Sequence, residues 1–138
     1  MIRPFFKDDY ATVELDDSIP CIQITLRGIP KHSEHYQLIQ HKRLELMRLE
    51  IRNYPKLHML TDSRTAGPVL EEDVQLFKST VMPEMEKAGI RYLAIVMPTN
   101  KFTQLTIRDM TQDSKSMTVR YFDSIQEARR WLKKMTLL

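Results

Sequence analysis

The sequence predicts an α/β fold: a four-to-five-stranded mixed sheet with an antiparallel amino-terminal edge strand and right-handed βα crossovers. Three observations predict it. Short β-branched or apolar runs alternate with longer segments of helical spacing in the order β-β-α-β-α-β-α-β-α, and such alternation implies parallel neighbours joined by right-handed crossovers. The run Tyr92 to Met97 is almost unbrokenly apolar, as a strand covered on both faces is. The 138 residues carry 42% hydrophobic and 28% charged side chains with three glycines. That is the composition of one folded domain, spanning residues 1–138, and not of a collagen-like or disordered chain.

Strand signals come first at Tyr10 to Leu15 and at Cys21 to Leu26, where Cys21, Gln23 and Thr25 alternate with Ile22, Ile24 and Leu26. The polar Asp16-Asp17-Ser18-Ile19-Pro20 between them makes an antiparallel hairpin the expected link, with the first of these strands at the edge. After Gly28-Ile29-Pro30, Ser33 is the expected N-cap of a long helix, because its hydroxyl accepts one of the unpaired first-turn N–H groups. Leu44, Met47, Ile51 and Tyr54 form its apolar stripe. Leu38, Ile39, Leu46 and Leu49 widen that stripe beyond what one contact with a sheet requires, and Pro55 stops the helix.

Leu57 to Thr61 is the next strand, and Asp62 to Pro68 is the loop after it, marked by the Gly67-Pro68 pair. A second helix opens on Glu71, Glu72 and Asp73, carboxylates that offset the positive end of the helix dipole. Pro83 should bend it and Gly89 should end it in a left-handed conformation. The Tyr92 to Met97 strand turns at Pro98-Thr99-Asn100 into a short helical stretch, and Met117 to Phe122 is the last strand. Ser124-Ile125-Gln126-Glu127 is a capping box for a final helix that buries Ala128, Trp131, Leu132 and Met135.

Composition and motifs exclude several function classes. The net charge of +3 is spread over both halves of the chain. The densest cluster, Arg129, Arg130, Lys133 and Lys134, falls in a terminal helix where cations oppose the negative dipole end, so no nucleic-acid partner is expected. No apolar run approaches the ~20 residues that span a bilayer, and the start lacks a signal-peptide core. The lone Cys21 cannot pair within the chain and points to a reducing compartment, so a cytoplasmic location is expected. Cys21 has apolar neighbours and reads as inert. His32, His35 and His41 complete no ligand set and read as surface residues, with no metal expected. Gly28, Gly67 and Gly89 stand alone, and Ser63 has no G-x-S-x-G context. No cofactor and no catalytic residue is therefore expected.

Open parallel sheets bind ligands or partners in the crevice at the carboxyl ends of their strands. The candidate partner- or ligand-binding residues there are Asp62, Arg64, Thr65, Gly67, Glu71, Glu72, Asp73 and Lys101. Asp62 and Arg64 are the best polar pair among them. Either they face a partner, or they pair with each other and order the loop backbone.

Three stretches carry a resemblance: Leu60-Thr61-Asp62-Ser63-Arg64 with Gly67-Pro68 and an acidic helix start; Ala88-Gly89-Ile90-Arg91 leading into Tyr92-Leu93-Ala94-Ile95-Val96; and Tyr121-Phe122-Asp123-Ser124 with Glu127-Ala128 and Trp131-Leu132. Together they resemble STAS-domain proteins of the stand-alone SpoIIAA-like branch, also grouped with CRAL-TRIO-like proteins. The resemblance implies four βα units wound as a right-handed superhelix with an additional antiparallel edge strand. It also implies a non-enzymatic module; the anti-sigma antagonists of that group bind a kinase-like anti-sigma factor. They are switched by phosphorylation of a Ser at the start of the helix that follows the third strand. Here the corresponding stretch, Val69-Leu70-Glu71-Glu72-Asp73, has no hydroxyl, and Ser63 and Thr65 lie earlier and do not match the switch position. Three acidic side chains at that helix start would oppose a phosphate, so no conventional phospho-switch is expected.

The expected function is a non-catalytic STAS-like regulatory or protein-interaction module that lacks the phosphorylatable Ser and contacts a protein partner through Asp62 to Asp73. A homodimer through the first long helix is a further expectation, from its wide apolar stripe. The alternative is a binding protein for a lipid or other apolar small molecule held between sheet and helices.

Overall fold

The computed structural model describes all 138 residues, Met1–Leu138. Six strands lie in one sheet in chain order: β1 (Ile2–Lys7), β2 (Ala11–Asp16), β3 (Cys21–Gly28), β4 (His58–Ala66), β5 (Tyr92–Val96) and β6 (Thr118–Phe122). β1, β2 and β3 pair antiparallel, and β3 to β6 pair parallel. The helices are α1 (Ser33–Glu50), α2 (Glu71–Leu76), α3 (Met82–Ala88), α4 (Lys101–Thr111) and α5 (Ile125–Thr136), with a π-helical turn, Phe77–Val81, between α2 and α3.

Because the parallel strands follow one another without a gap, each crossover steps one place in the same direction. A constant right hand then puts every crossover helix on the same side of the sheet. The core obeys this. Ile39 and Met47 of α1, Phe77 and Met85 of the second crossover, and Ile107 and Met110 of α4 pack with Val13, Ile24, Met59, Leu93 and Ile95. Successive strand residues point to opposite faces, so Cys21, Leu60, Ala94 and Val96 point the other way. They meet Ala128, Trp131 and Leu132 of α5, the helix that follows the last strand.

The sheet has six strands and not the expected four to five. The addition is β1, which pairs with β2 and takes the edge position assigned from the sequence to Tyr10 to Leu15. A register shift between Pro4 and Phe6 hides it from a period-two reading: Phe5 and Phe6 are adjacent, yet both pack against the helix-side core. Pro4 fits here because an edge strand has no ladder bond to lose on its outer side.

β4 also runs further than expected. Thr25 pairs with Asp62, Arg27 with Thr65 and Gly28 with Ala66, so Asp62 to Thr65 belong to a strand and not to the loop that their small polar side chains suggested. The N-cap of α1 is His32 and not Ser33: His32 Nδ1 accepts from the His35 N–H at 3.2 Å. His35 is not a free surface group either, since its Nε2 pairs with Asp8 Oδ2 at 2.8 Å and its Nδ1 accepts from the Lys31 N–H.

Where Pro83 was expected to bend the helix, the preceding turn is widened, and the Met82 N–H reaches back to the Phe77 carbonyl. A π-turn makes room for a ring that would otherwise press on the carbonyl four residues earlier. Gly89 ends α3 at φ +98°, the left-handed cap that glycine adopts without penalty. Ser124 caps α5, its Oγ accepting from the Glu127 N–H.

The broad stripe of α1 is largely absorbed within the chain. Ile39 and Leu46 are buried, and Leu38 and Leu49 remain exposed with Lys42 and Glu45 between them on the helix. No helix is long and apolar enough to cross a membrane.

Candidate functional site

The carboxyl ends of β3, β4 and β5 and the loops that leave them form a rim. The residues singled out from the sequence all lie on it or just beneath it, but they do not form one constellation. Asp62 and Arg64 point away from the crossover helices, as their place in the β4 alternation requires. They satisfy each other: Arg64 Nε donates to Oδ1 at 2.9 Å and Nη2 to Oδ2 at 2.7 Å, while the Arg64 N–H also reaches Oδ1. A bidentate pair of this kind is a strong one, and it leaves Asp62 no free oxygen for acid–base work. Thr65 Oγ1 donates to the Leu26 carbonyl, tying β4 to β3.

The Gly67 N–H bonds the Gly28 carbonyl at 2.7 Å, and a Cβ at Gly67 would stand 2.8 Å from Ile29 Cγ2. Close packing against Ile29 and the Gly28 carbonyl favours glycine there. Glu71 and Glu72 are exposed, as is Lys101 at the start of α4, where Asn100 Oδ1 caps the helix through the Thr103 N–H. Asp73 turns inward and is buried: Oδ1 accepts from Ser33 Oγ at 3.2 Å and Oδ2 has no partner. Burial raises its pKa.

Around these residues the rim exposes large apolar side chains. Ile29 follows β3, Leu70 precedes α2, and Phe102 and Leu105 lie on the first turns of α4; Phe102 is 82% exposed and Leu105 65%. Below the rim, between the sheet and the crossover helices, lies a cavity of about 50 Å³. Leu26, Val69, Phe77, Ile95 and Ile107 supply much of its apolar wall, and the hydroxyl-bearing residues Tyr10, Tyr36, Thr61, Ser63 and Thr111 also line it. The Thr61 and Thr111 hydroxyls are already engaged, by Arg43 and by Tyr121 with the Ile107 carbonyl.

Behind the floor sits Arg43, on the face of α1 that also carries Tyr36, Gln40 and Met47. It is 1% exposed. Nε donates to Gln40 Oε1 at 3.1 Å, Nη2 to Thr61 Oγ1 at 3.2 Å, and the guanidinium lies 5.5 Å from the centre of the Phe77 ring. Nη1 has no partner. Burial pushes its pKa down to about 10, which leaves it charged at neutral pH. An unmade bond at a buried donor costs about 1–3 kcal/mol, and an uncompensated buried charge costs more. Arg43, Tyr36 and Tyr10 were not among the residues singled out from the sequence. The signal available was spacing: residues 36, 40, 43 and 47 fall on one helical face.

At the opposite end of the sheet a second cavity of about 220 Å³ is lined by Lys56, His58, Arg91, Tyr92, Met135 and Leu138 among others. His58 is buried, with Nε2 2.7 Å from Thr136 Oγ1 and Nδ1 without a partner. Burial first, and the Lys56 charge second, lower its pKa to about 4. Cys21 is fully enclosed, and burial pushes its thiol up to about 12. No three His, Cys, Asp or Glu side chains come together as a metal site.

No family model matches the chain, and no curated protein does. Among solved structures, an uncharacterised DUF3478-family protein from Shewanella loihica PV-4, described as having a SpoIIAA-like fold, aligns at a TM-score of 0.51 with 12% identity, covering 96% of this chain and 95% of that one. The chain therefore has a SpoIIAA-like fold.

Proposed function

We propose, starting from that fold, that the chain is a non-catalytic interaction module that recognises a protein partner with its carboxyl-side rim. The observation that carries this reading is the group of exposed large apolar side chains at the rim, Ile29, Leu70, Phe102 and Leu105. They are bordered by exposed charges of both signs, Arg64, Glu71, Glu72 and Lys101. Apolar patches rimmed by polar groups mark interaction sites, and an apolar centre with a charged border is the anatomy of a protein interface. The absence of catalysis is part of the proposal: the best polar pair, Asp62 and Arg64, is spent on itself, and the lone thiol is enclosed.

The test is a pull-down from the cell of origin with the natural sequence and with the double variant Phe102→Ser/Leu105→Ser, whose exposed positions leave the fold intact by circular dichroism. A protein retained by the first and lost from the second supports the reading. Identical retention by both overturns it, and Arg64→Ala with Glu72→Lys examines the charged border in the same way. A second reading, binding of an apolar small molecule, is favoured by the mostly apolar cavity under the rim.

A further inference from the structure

A guanidinium enclosed in a protein core is ordinarily met by a carboxylate. Arg43 is enclosed and meets none; its polar contacts are a neutral amide and a neutral hydroxyl, and Nη1 meets nothing. The other buried charge nearby does not answer it, since Asp73 spends one oxygen on Ser33 and leaves the other unpartnered. Tyr36 shares the buried face of α1 with Arg43. The cationic end of the cavity is therefore the one where Tyr36, Thr61 and Phe77 meet, and Thr61 and Phe77 are the residues that touch Arg43.

We propose that this cavity takes a small organic monocarboxylate, its head accepting from the Tyr36 and Ser63 hydroxyls opposite Arg43 and its short apolar tail lying against Leu26, Ile95 and Ile107. The proposal deepens, and rests on, the reading of the cavity as a small-molecule site. A bound carboxylate supplies the charge that the fold withholds from Arg43. Size sets the tail: about 50 Å³ holds roughly four water-sized groups, so the carboxylate and about one carbon fill it and any longer tail runs out toward the rim. The approach is from the rim, where Ala66, Gly67 and Val69 form the adjoining wall.

The experiment titrates the full chain with sodium butyrate and, separately, with 1-butanol, following the methyl resonances of Leu26, Ile95 and Ile107 by NMR. Both ligands should shift these methyls, with a Kd at least ten-fold lower for butyrate. Arg43→Met should abolish that ten-fold advantage while the butanol response persists. Should Arg43→Met fail to fold, Ser63→Ala, which adds no bulk, should cost butyrate at least three-fold in affinity and butanol nothing. Equal affinity for the two ligands overturns the anionic head and leaves the apolar site standing. A ten-fold advantage that survives Arg43→Met, or a butyrate affinity unchanged by Ser63→Ala where that variant stands in, also overturns the proposal. No methyl response to either ligand overturns both the proposal and the reading beneath it.

Discussion

His58 gives the protein an acid-labile joint whose size can be worked out. Thr136 Oγ1 donates its single proton to the Leu132 carbonyl at 2.9 Å, so at the 2.7 Å contact it accepts from His58 Nε2. The neutral ring is then the Nε2–H tautomer, with its bare Nδ1 facing no donor. Protonation would place a second N–H where no acceptor waits, inside the protein and near Lys56, and the pKa falls from 6.5 to about 4. A histidine depressed in the folded state binds fewer protons than in the unfolded chain. Stability is therefore fully present above pH 6.5 and is lost as pH falls toward the folded value. The loss is about 2 kcal/mol at pH 5 and about 3 kcal/mol by pH 4, a large share of the ~5–15 kcal/mol of a typical domain. Urea unfolding followed by circular dichroism at pH 7, 6, 5 and 4 measures it, with His58→Leu as the reference that cannot titrate. The natural sequence should lose about 3 kcal/mol more than His58→Leu between pH 7 and 4. A difference under about 1 kcal/mol would refute the reasoning, because the carboxylates that titrate in the same range are common to both chains.

Other consequences follow from single groups. Despite the opposing effect of burial, bonds from Ser116, Lys115 and Ser114 hold the Glu86 carboxyl below its ordinary value. Its stabilising contribution is present above pH 4.5 and lost as pH falls through the lower folded value. Glu86→Gln should cost about 1 kcal/mol at pH 7 and nothing at pH 2, as read from urea midpoints. Cys21 should react with a thiol reagent only as fast as the chain opens, since it is enclosed and its thiol is pushed up to about 12; rapid labelling of the folded protein would contradict that. Arg43→Met, by removing an unanswered buried charge, should leave the ligand-free chain as stable or raise its stability by about 1 kcal/mol. A loss above about 2 kcal/mol would show that Gln40, Thr61 and Phe77 compensate the guanidinium unaided.

How much of this was legible in the sequence depended on whether a residue's role is local. The Tyr92 to Met97 strand, the Gly89 stop and the Ser124 cap are short-range consequences of side-chain type, and they stand where expected. β1 escaped because a bulge breaks the alternation that announces a strand. Asp62 to Thr65 look like loop residues because the partner that makes them a strand, Thr25 to Gly28, lies far away in sequence. The site suffered most from the assumption that a charge on a helix faces water. Arg43 carries the same charge as its exposed neighbours on α1, and only the burial of Tyr36, Gln40 and Met47 along its face gives it away. His58 opens β4 with nothing nearby in sequence to show that α5, some eighty positions later, closes over it with Thr136.

The winding of the sheet explains why buried polarity is tolerable in one place and demanding in another. With every crossover helix on the same side, the second face is covered by α5 over β4, β5 and β6. Over β2 and β3 that face carries Thr12, Glu14, Asp16, Gln23, Thr25 and Arg27. These groups answer one another: Arg129 pairs with Asp16 and approaches Gln23, and Arg27 with Thr12. Glu14, whose pKa burial and Asp16 raise, lies among the cations Arg129, Arg27 and Lys7. A half-face furnished this way needs no further layer, because water and its own ion pairs satisfy it. The helix side is closed by α1, α2, α3 and α4 and buries one cation, Arg43, with no carboxylate and one carboxylate, Asp73, with no cation. Sequence change could remove either charge at little cost to the core. The unanswered Arg43 beside the cavity is the charge that the proposed anionic guest would meet, and a purely structural core has no need of it.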